Sequence, residues 1–326
     1  MIERGPIFFD VRTMLPTDFL QRFQQICPPA LLHDALASFN QRKQVSFRIN
    51  RLRPNADTIL LQLQQAGITP QPVAWAHQHG IAAYLCDPQQ REALTHTSAA
   101  ENGAIYIQSL SSMLAPILLH PQSNEWVLDL AAAPGGKTIL LAELMQNRGK
   151  ISAVEPVKSR FFRLKANLER LSVTNTQTYM KDGRAVGKLK PDSFDRVMLD
   201  APCSSESRFK TYDAGSYAHW NLHKVSECAK KQRRLIISGF DALKPGGALL
   251  YCTCSYAPEE NEQVVAQLLK KRSTAEVLPI QLPIANRSDG LVEWNRKTLP
   301  ASCALTQRIW PTANMDGFYL ALIRKR

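Results

Sequence analysis

The sequence predicts an α/β fold built on a mostly parallel sheet, and three observations carry that expectation. From about residue 125 onward, short apolar segments alternate with helical patterns. The segments are short and mostly apolar, as suits strands covered by helices on both faces. Acids or cysteines stand at or just beyond four of their ends: Glu155, Asp182, Asp200 with Cys203, and Cys252 with Cys254. Sheets of this kind bind ligands at the carboxyl ends of their strands.

Taken in order, Phe19, Leu20, Phe23, Ile26, Leu31, Leu32 and Leu36 recur at helical spacing over 17–39, and Pro28 and Pro29 split that stretch into two helices. Residues 44–50 alternate and predict a strand. Residues 57–66 predict a helix opened by Asp57 and closed by Gly67. A strand over 104–108 leads to a helix over 109–119. The alternating part then predicts strands over 126–130, 151–154, 176–179, 194–199 and 248–251. Helices are expected over 138–145, 158–171, 229–242 and 259–269, the third closed by Lys244-Pro-Gly-Gly.

Composition narrows the class. The chain has 326 residues, 44% hydrophobic and 21% charged, which is a globular balance. No uninterrupted apolar run is long enough for a transmembrane helix, and the acid-bearing N-terminus does not read as a secretory signal. Seven cysteines, an odd number, do not form a disulfide framework, so a reducing, cytoplasmic setting is expected. Forty Lys and Arg against 28 Asp and Glu give a net charge of +12, which favours a polyanionic partner. No membrane partner and no metal are expected, and the chain is expected to act as a monomer.

The stretch Asp129 to Thr138, DLAAAPGGKT, follows one predicted strand and opens a helix. Gly135 and Gly136 let a ligand approach the backbone closely. The chain lacks the G-x-G-x-x-G of a dinucleotide site, and the leading glycine of a P-loop falls on Ala131. S-adenosyl-L-methionine suits the loop better, because its sulfonium and amino groups are cationic and Asp129 is an acid. Glu155 stands where a carboxylate receives ribose hydroxyls in nucleotide folds. A zinc reading of Cys203, Cys252 and Cys254 lacks both C-x₂-C spacing and a nearby histidine. Cys252 is read as a small core residue, because Ser255-Tyr-Ala-Pro ends the strand and strict alternation should fail at Cys254.

Together these segments resemble the NOL1/NOP2/Sun family of RNA cytosine-C5 methyltransferases. The resemblance rests on SFRIN at 46–50, IQSLSSM at 107–113, LDLAAAPGGKT at 128–138, LDAPCSS at 199–205, LKPGGALLYCTCSYAPEEN at 243–261 and DGF at 316–318, together with Glu155 and Asp182. It implies a Rossmann-like class I methyltransferase fold with a mostly parallel seven-stranded sheet. A small N-terminal α/β RNA-binding region would occupy 1–105 and the methyltransferase domain 106–326. The cofactor would be S-adenosyl-L-methionine, held by Asp129, Ala131, Ala132, Ala133, Pro134, Gly135, Gly136, Lys137, Glu155, Arg160, Asp182, Gly183, Asp200 and Pro202. Cys254 would be the nucleophile, Cys203 would assist release, and Asp200 would hold the base. After Cys203, where relatives often carry Ser-Gly-x-Gly, this chain has Ser204, Ser205, Glu206 and Ser207. That loop is therefore expected to read the neighbourhood of the target.

The chemistry explains the residue types. Addition of a thiolate to carbon 6 makes carbon 5 of cytosine enamine-like, and loss of the carbon-5 proton later expels the thiolate. A cytosine reaching a buried thiol must be flipped or unpaired, so structured RNA, ribosomal before transfer RNA, is the expected partner. Arg48, Arg51 and Arg53 are expected to bind its backbone, with Asn50, Arg208, Lys230 and Arg234 in the same set. Trp220 is expected either to stack on a base or to close the core. The rival readings are methylation of another RNA atom without a covalent adduct, and a non-enzymatic assembly factor.

Overall fold

In a computed structural model, which describes residues 14–53 and 56–326, proline divides the first helical stretch as its missing amide requires. The Asp57 side chain and residues 1–13 lie outside the described set. Helices Thr17–Ile26 and Pro29–Ser38 result. The first buries Phe19, Leu20, Phe23 and Ile26 in an aromatic cluster with Phe39, Phe209, Tyr256 and Trp310. Phe23 meets Tyr256 edge-on with ring centroids 4.9 Å apart. These helices thus roof the loops that follow Cys203 and Cys254.

A small antiparallel sheet runs in the order Gln71–Pro72, Ala83–Cys86, Val45–Ile49, Ile105–Ile107. Val45, Phe47 and Ile49 face a core shared with Ile59 and Leu63. The alternate residues Ser46 and Arg48 point the other way, as the two-residue period of a strand dictates. That opposite face is not solvent. Ser46 Oγ donates to the Gln108 carbonyl at 2.6 Å, and Arg48 pairs with Glu143 on helix Gly136–Leu144.

Among the described residues the larger sheet has nine strands. Five are parallel: Thr176–Tyr179, Lys150–Val154, Trp126–Asp129, Phe194–Asp200 and Leu243–Thr253, in that spatial order. Phe318–Lys325 then runs antiparallel to Leu243–Thr253 and carries Gln307–Ile309 and Ala275–Leu278 along its far edge, with Arg287–Asp289 beyond. The expectation of a mostly parallel, seven-stranded sheet is corrected accordingly: the sheet is mixed and wider. The parallel half is joined by helical crossovers, whereas Gln307–Ile309 and Phe318–Lys325 form a hairpin whose second strand pairs antiparallel with Leu243–Thr253.

The chain enters this sheet at Trp126–Asp129, winds outward to Thr176–Tyr179, and then returns to the other side of its starting strand at Phe194–Asp200. The strand order reverses between these two, so a crevice opens there at their carboxyl ends. Asp129 and Asp200 end the two flanking strands. The long helix begins at Leu222, not at 229, because Asn221 caps it by accepting from the Lys224 amide at 2.8 Å. Lys244-Pro-Gly-Gly lies within the following strand, whose pairing with Phe194–Asp200 is shifted there.

Candidate active site

Asp129 is buried at the crevice. Thr138 donates to its Oδ2 at 2.6 Å, while Oδ1 has no well-formed hydrogen bond, with only the Ala131 amide nearby to favour the charge. Burial pushes this carboxyl up to about 6. From the same loop Lys137 turns inward, donating to Asp200 Oδ2 at 2.6 Å and to Ser112 Oγ at 2.7 Å. Its ammonium lies 5.2 Å from the centre of the Phe318 ring. Gly135 adopts φ +113°, a conformation that side chains resist, and so makes the tight entry into the helix.

Beyond Asp200 the chain carries Cys203 to within 2.8 Å of the Cys254 sulfur. Both thiols are free and half-buried. The hydrogen bond from Cys203 and, against the cost of burial, the charge of Arg208 pull Cys254 down to about 7. The same hydrogen bond and burial push Cys203 well up, so Cys254 is the sulfur that ionises more readily. Cys252 is fully buried, with its sulfur 3.6 Å from Asp200 Oδ1, and burial pushes it well up too. Leu243–Thr253 stops just before Cys254, which is half-buried where Cys252 is fully buried.

Two cavities meet at these groups. The smaller, 310 Å³, is lined by Gln108, Ser112, Asp129, Lys137, Asp200 and Cys254, among others. The larger, 720 Å³, is lined by Glu155, Arg160, Asp182, Gly183, Pro202 and Cys203, among others. Both include Ala131, Ala133, Pro134, Asp200, Arg208 and Cys254, whereas Ala132, Gly136 and Lys137 face only the smaller. Glu155 is buried, accepts from the Val157 amide at 2.9 Å and lies 3.6 Å from Arg160. Arg160 also donates to the Ala133 carbonyl at 2.8 Å. Asp182 is exposed at the cavity edge and accepts from the Arg184 amide and guanidinium, which hold it below the usual carboxylate range.

The expected RNA contacts fare differently. Arg48 has no exposed surface: it pairs with Glu143, donates to Gln108 Oε1 at 2.9 Å and lies over Tyr106. Asn50, also buried, donates to the carbonyls of Gly103 and Leu171, each at 2.9 Å. Both are corrected from RNA contacts to ties between the small sheet and the larger body. Arg51 donates to the Gly80 carbonyl and Arg53 to that of Arg170 at 2.9 Å. Trp220 closes the core: its indole donates to Glu206 at 2.9 Å and its ring packs edge-on against Phe19. Lys230 and Arg234 are exposed on helix Leu222–Ala242 and line neither cavity, whereas Arg208 lines both.

A third cavity, 750 Å³, adjoins the smaller one through Gln108, Ser109, Ser207, Arg208 and Asp316. Arg42, Lys43, Arg91 and Lys210 line it, with Tyr212 exposed on its wall. Sequence reasoning missed these cations because they come from three separate segments and form no run. The loop after Cys203 is held in place by buried contacts. Glu206 and Ser207 are buried, and Glu206 accepts from the Tyr256 and Ala257 amides at 2.7 and 3.0 Å. Ser205 keeps φ +62°, the left-handed region that glycine adopts freely.

Comparison with known proteins agrees with this geometry. A family model described as 16S rRNA methyltransferase RsmB/F matches residues 116–324. The ribosomal RNA small subunit methyltransferase F of Vibrio vulnificus (strain YJ016) is 36% identical over 319 residues, 95% of this chain and 64% of that protein. The tRNA (cytosine(49)-C(5))-methyltransferase of Pyrococcus abyssi is 36% identical over 281 residues, 86% of this chain and 88% of that one. A crystal structure of a methyltransferase homolog protein from Pyrococcus horikoshii matches with a TM-score of 0.76 at 29% identity, covering 96% of this chain and 100% of that one. Fold and crevice are thus those of an α/β, class-I-like methyltransferase with a mixed central sheet. The chain belongs to the RsmB/F–NSun family of S-adenosylmethionine-dependent RNA cytosine-C5 methyltransferases. It spans 64% of the length of the Vibrio relative and 52% of one from Pectobacterium carotovorum.

Proposed function

We propose that this chain methylates carbon 5 of a cytosine in structured RNA through a covalent bond from Cys254 to carbon 6. The observation that carries the reading is the sulfur pair: of the three thiols near the crevice, only Cys254 is pulled down toward neutrality. The smaller cavity, with Asp200 and Lys137 at its wall, is the site for the base. Asp200 faces the ring's N3 and exocyclic amine, and the Lys137 ion pair holds that carboxylate in place. Cys203, a protonated thiol beside the nucleophile, serves the release step: water takes the carbon-5 proton, the C5–C6 double bond re-forms as the carbon–sulfur bond breaks, and the Cys203 thiol hydrogen-bonds the departing Cys254 thiolate.

The residues of the larger cavity, with Asp129 and Gly136 on the adjoining wall of the smaller one, fit S-adenosylmethionine. The unpartnered Asp129 Oδ1 and the glycine turn suit a cationic amino acid moiety, and buried Glu155 suits a ribose. When bound, the cofactor supplies an electrophilic methyl group. Glu155→Ala should weaken binding of the demethylated cofactor by about 10-fold or more, the usual scale for a charge-assisted hydrogen bond. Calorimetry checks this without RNA, and unchanged affinity would remove Glu155 from the site.

The third cavity is the path of the strand flanking the target. Arg42, Arg91 and Lys210 are exposed there. Replacing all three with Ala should make the slope of log affinity against log salt shallower by about 2, given about 0.7 per phosphate contact on single strands. The same loss on replacing Arg51 and Arg53 instead would locate the path elsewhere.

Ribosomal RNA is the favoured substrate, since the matching family model and the Vibrio relative are both described as ribosomal RNA methyltransferases. In vitro transcripts of small-subunit ribosomal RNA should therefore gain 5-methylcytosine, with tRNA transcripts as the comparison. Methylation of the tRNA alone would reverse the preference. Methylation of a different base atom by an enzyme that tolerates Cys254→Ala would replace the reading.

A further inference from the structure

Behind the two reactive cysteines lies a pair of acids that the methyl-transfer chemistry does not use. Glu206 follows Cys203 on one loop, and Glu260 follows Cys254 on the other; both are buried, at 2% and 0% exposure. All their recorded hydrogen-bond partners are neutral. Glu206 Oε2 accepts from the Tyr256 and Ala257 amides and Oε1 from the Trp220 indole. Glu260 Oε2 accepts from the Ser204 amide at 3.0 Å and from Gln232 Nε2 at 2.7 Å. Its Oε1 faces only hydroxyls, those of Ser204 and Ser255.

Ser255 Oγ lies between the acids, 2.8 Å from Glu260 Oε1 and 3.0 Å from Glu206 Oε2. One hydroxyl carries one proton and can donate to only one of them. The other close contact then sets a bare oxygen against a bare oxygen, unless a carboxyl supplies a second proton. Glu206 Oε2, the oxygen that faces Ser255, already receives two N–H donors, so it has no room there for a proton. Glu260 Oε1 has that room.

We propose that Glu260 is held as a neutral acid that donates to Ser255 Oγ, which in turn donates to the Glu206 carboxylate, and that this chain is the clamp setting Cys203 against Cys254. Burial and the charge of Glu206 push Glu260 up to about 8, in keeping with the proton count. Burial also pushes Glu206 up, against its amide donors and the charge of Arg22, and Cys203, Cys228 and Tyr251 feel the charge of Glu260 as Tyr256 feels that of Glu206. Arg22 itself is paired with Glu259 at 2.5 Å. Glu206 and Glu260 are positioning residues, since neither lines the cavities assigned to base and cofactor. The inference rests on the proposed function only for what the clamp serves.

Three measurements, all without RNA or cofactor, test the clamp separately from the enzymatic reading. Infrared spectra of the wild-type protein at pH 7 should show a protonated-carboxyl band that disappears as pH rises past about 8. Absence of that band at pH 7 would overturn the proposal, and no variant has to fold for the result to count. In urea unfolding, the folded wild type holds a proton that unfolded Glu releases above pH 4.5, so its stability falls as pH rises toward 8. The folding constant of Glu260→Gln should therefore gain on that of the wild type by about 10-fold per pH unit in that window. Parallel curves would contradict it. Glu206→Gln should lose stability throughout, because its NH₂ meets N–H donors on either oxygen; equal tolerance of both amides would also contradict it. Finally, Glu260→Ala should slow alkylation of Cys254 at pH 7 by about fivefold or more, as its thiol returns toward the ordinary range, and Glu260→Gln should restore the rate. An unchanged rate in Glu260→Ala would detach the pair from the cysteines.

Discussion

Cys203→Ala, given RNA and cofactor, is expected to accumulate a protein–RNA adduct that survives denaturing gel electrophoresis, and Cys254→Ala to form none. The two sulfurs are 2.8 Å apart, so either is within reach of a base in the smaller cavity. Their ionisation separates them. Cys254 is drawn down to about 7 by the hydrogen bond from Cys203 and by Arg208, whereas Cys203 is pushed well up. The proposed mechanism therefore gives attack to Cys254 and leaves the proton on Cys203. Adduct formation by wild type should fall by about 10-fold per pH unit below 7, as the thiolate is protonated. Cys252→Ala should form and release the adduct and cost only packing, because its fully buried side chain leaves a small cavity. An adduct from Cys254→Ala with none from Cys203→Ala would exchange the two roles.

Arg48→Ala is expected to destabilise the fold by about 3–5 kcal/mol, the scale for a buried charge left without its partner. Glu143 would be that charge, since burial already pushes it up against the pull of Arg48. Gln108 and Tyr106, which line the smaller cavity, would lose the guanidinium they pack on. Urea denaturation reads the loss directly. An RNA-contact role predicts the opposite pattern, with near-normal stability and a weaker, less salt-sensitive affinity for RNA. Replacing Arg48 and Glu143 together by apolar residues should recover much of the stability, because no unpaired charge remains.

Local pattern carried the parallel half of the fold. The strands from Trp126 to Tyr179 are short and separated by well-patterned helices, so sequence alone places them to within a residue or so. The far edge was not legible: Arg287–Asp289 and Gln307–Ile309 are too short to show a period, and their pairing depends on Phe318–Lys325. Arg48 shows why alternation alone misleads. Ser46, Arg48 and Asn50 occupy the polar face of a strand, which normally means solvent, yet the partners of Arg48 and Asn50 include Glu143 and Leu171, about a hundred residues away. Polar residues against a second body look the same in sequence as polar residues against water. The end of the strand before Ser255-Tyr-Ala-Pro was legible, because it is a local signal. The Lys137–Asp200 and Cys203–Cys254 contacts are long-range, and only the topology of the sheet brings them together.

The most direct test of the account is to identify the residue joined to the base. Small-subunit ribosomal RNA carrying 5-fluorocytidine in place of cytidine, incubated with the wild-type protein and S-adenosylmethionine, should trap the adduct, since fluorine at carbon 5 cannot leave as a proton does. Digestion and mass spectrometry should then find the nucleotide on the peptide containing Cys254, with Cys203 unmodified. A nucleotide on Cys203, or methylation of unsubstituted RNA with no adduct from the fluorinated form, would contradict the assignment of Cys254 as the nucleophile.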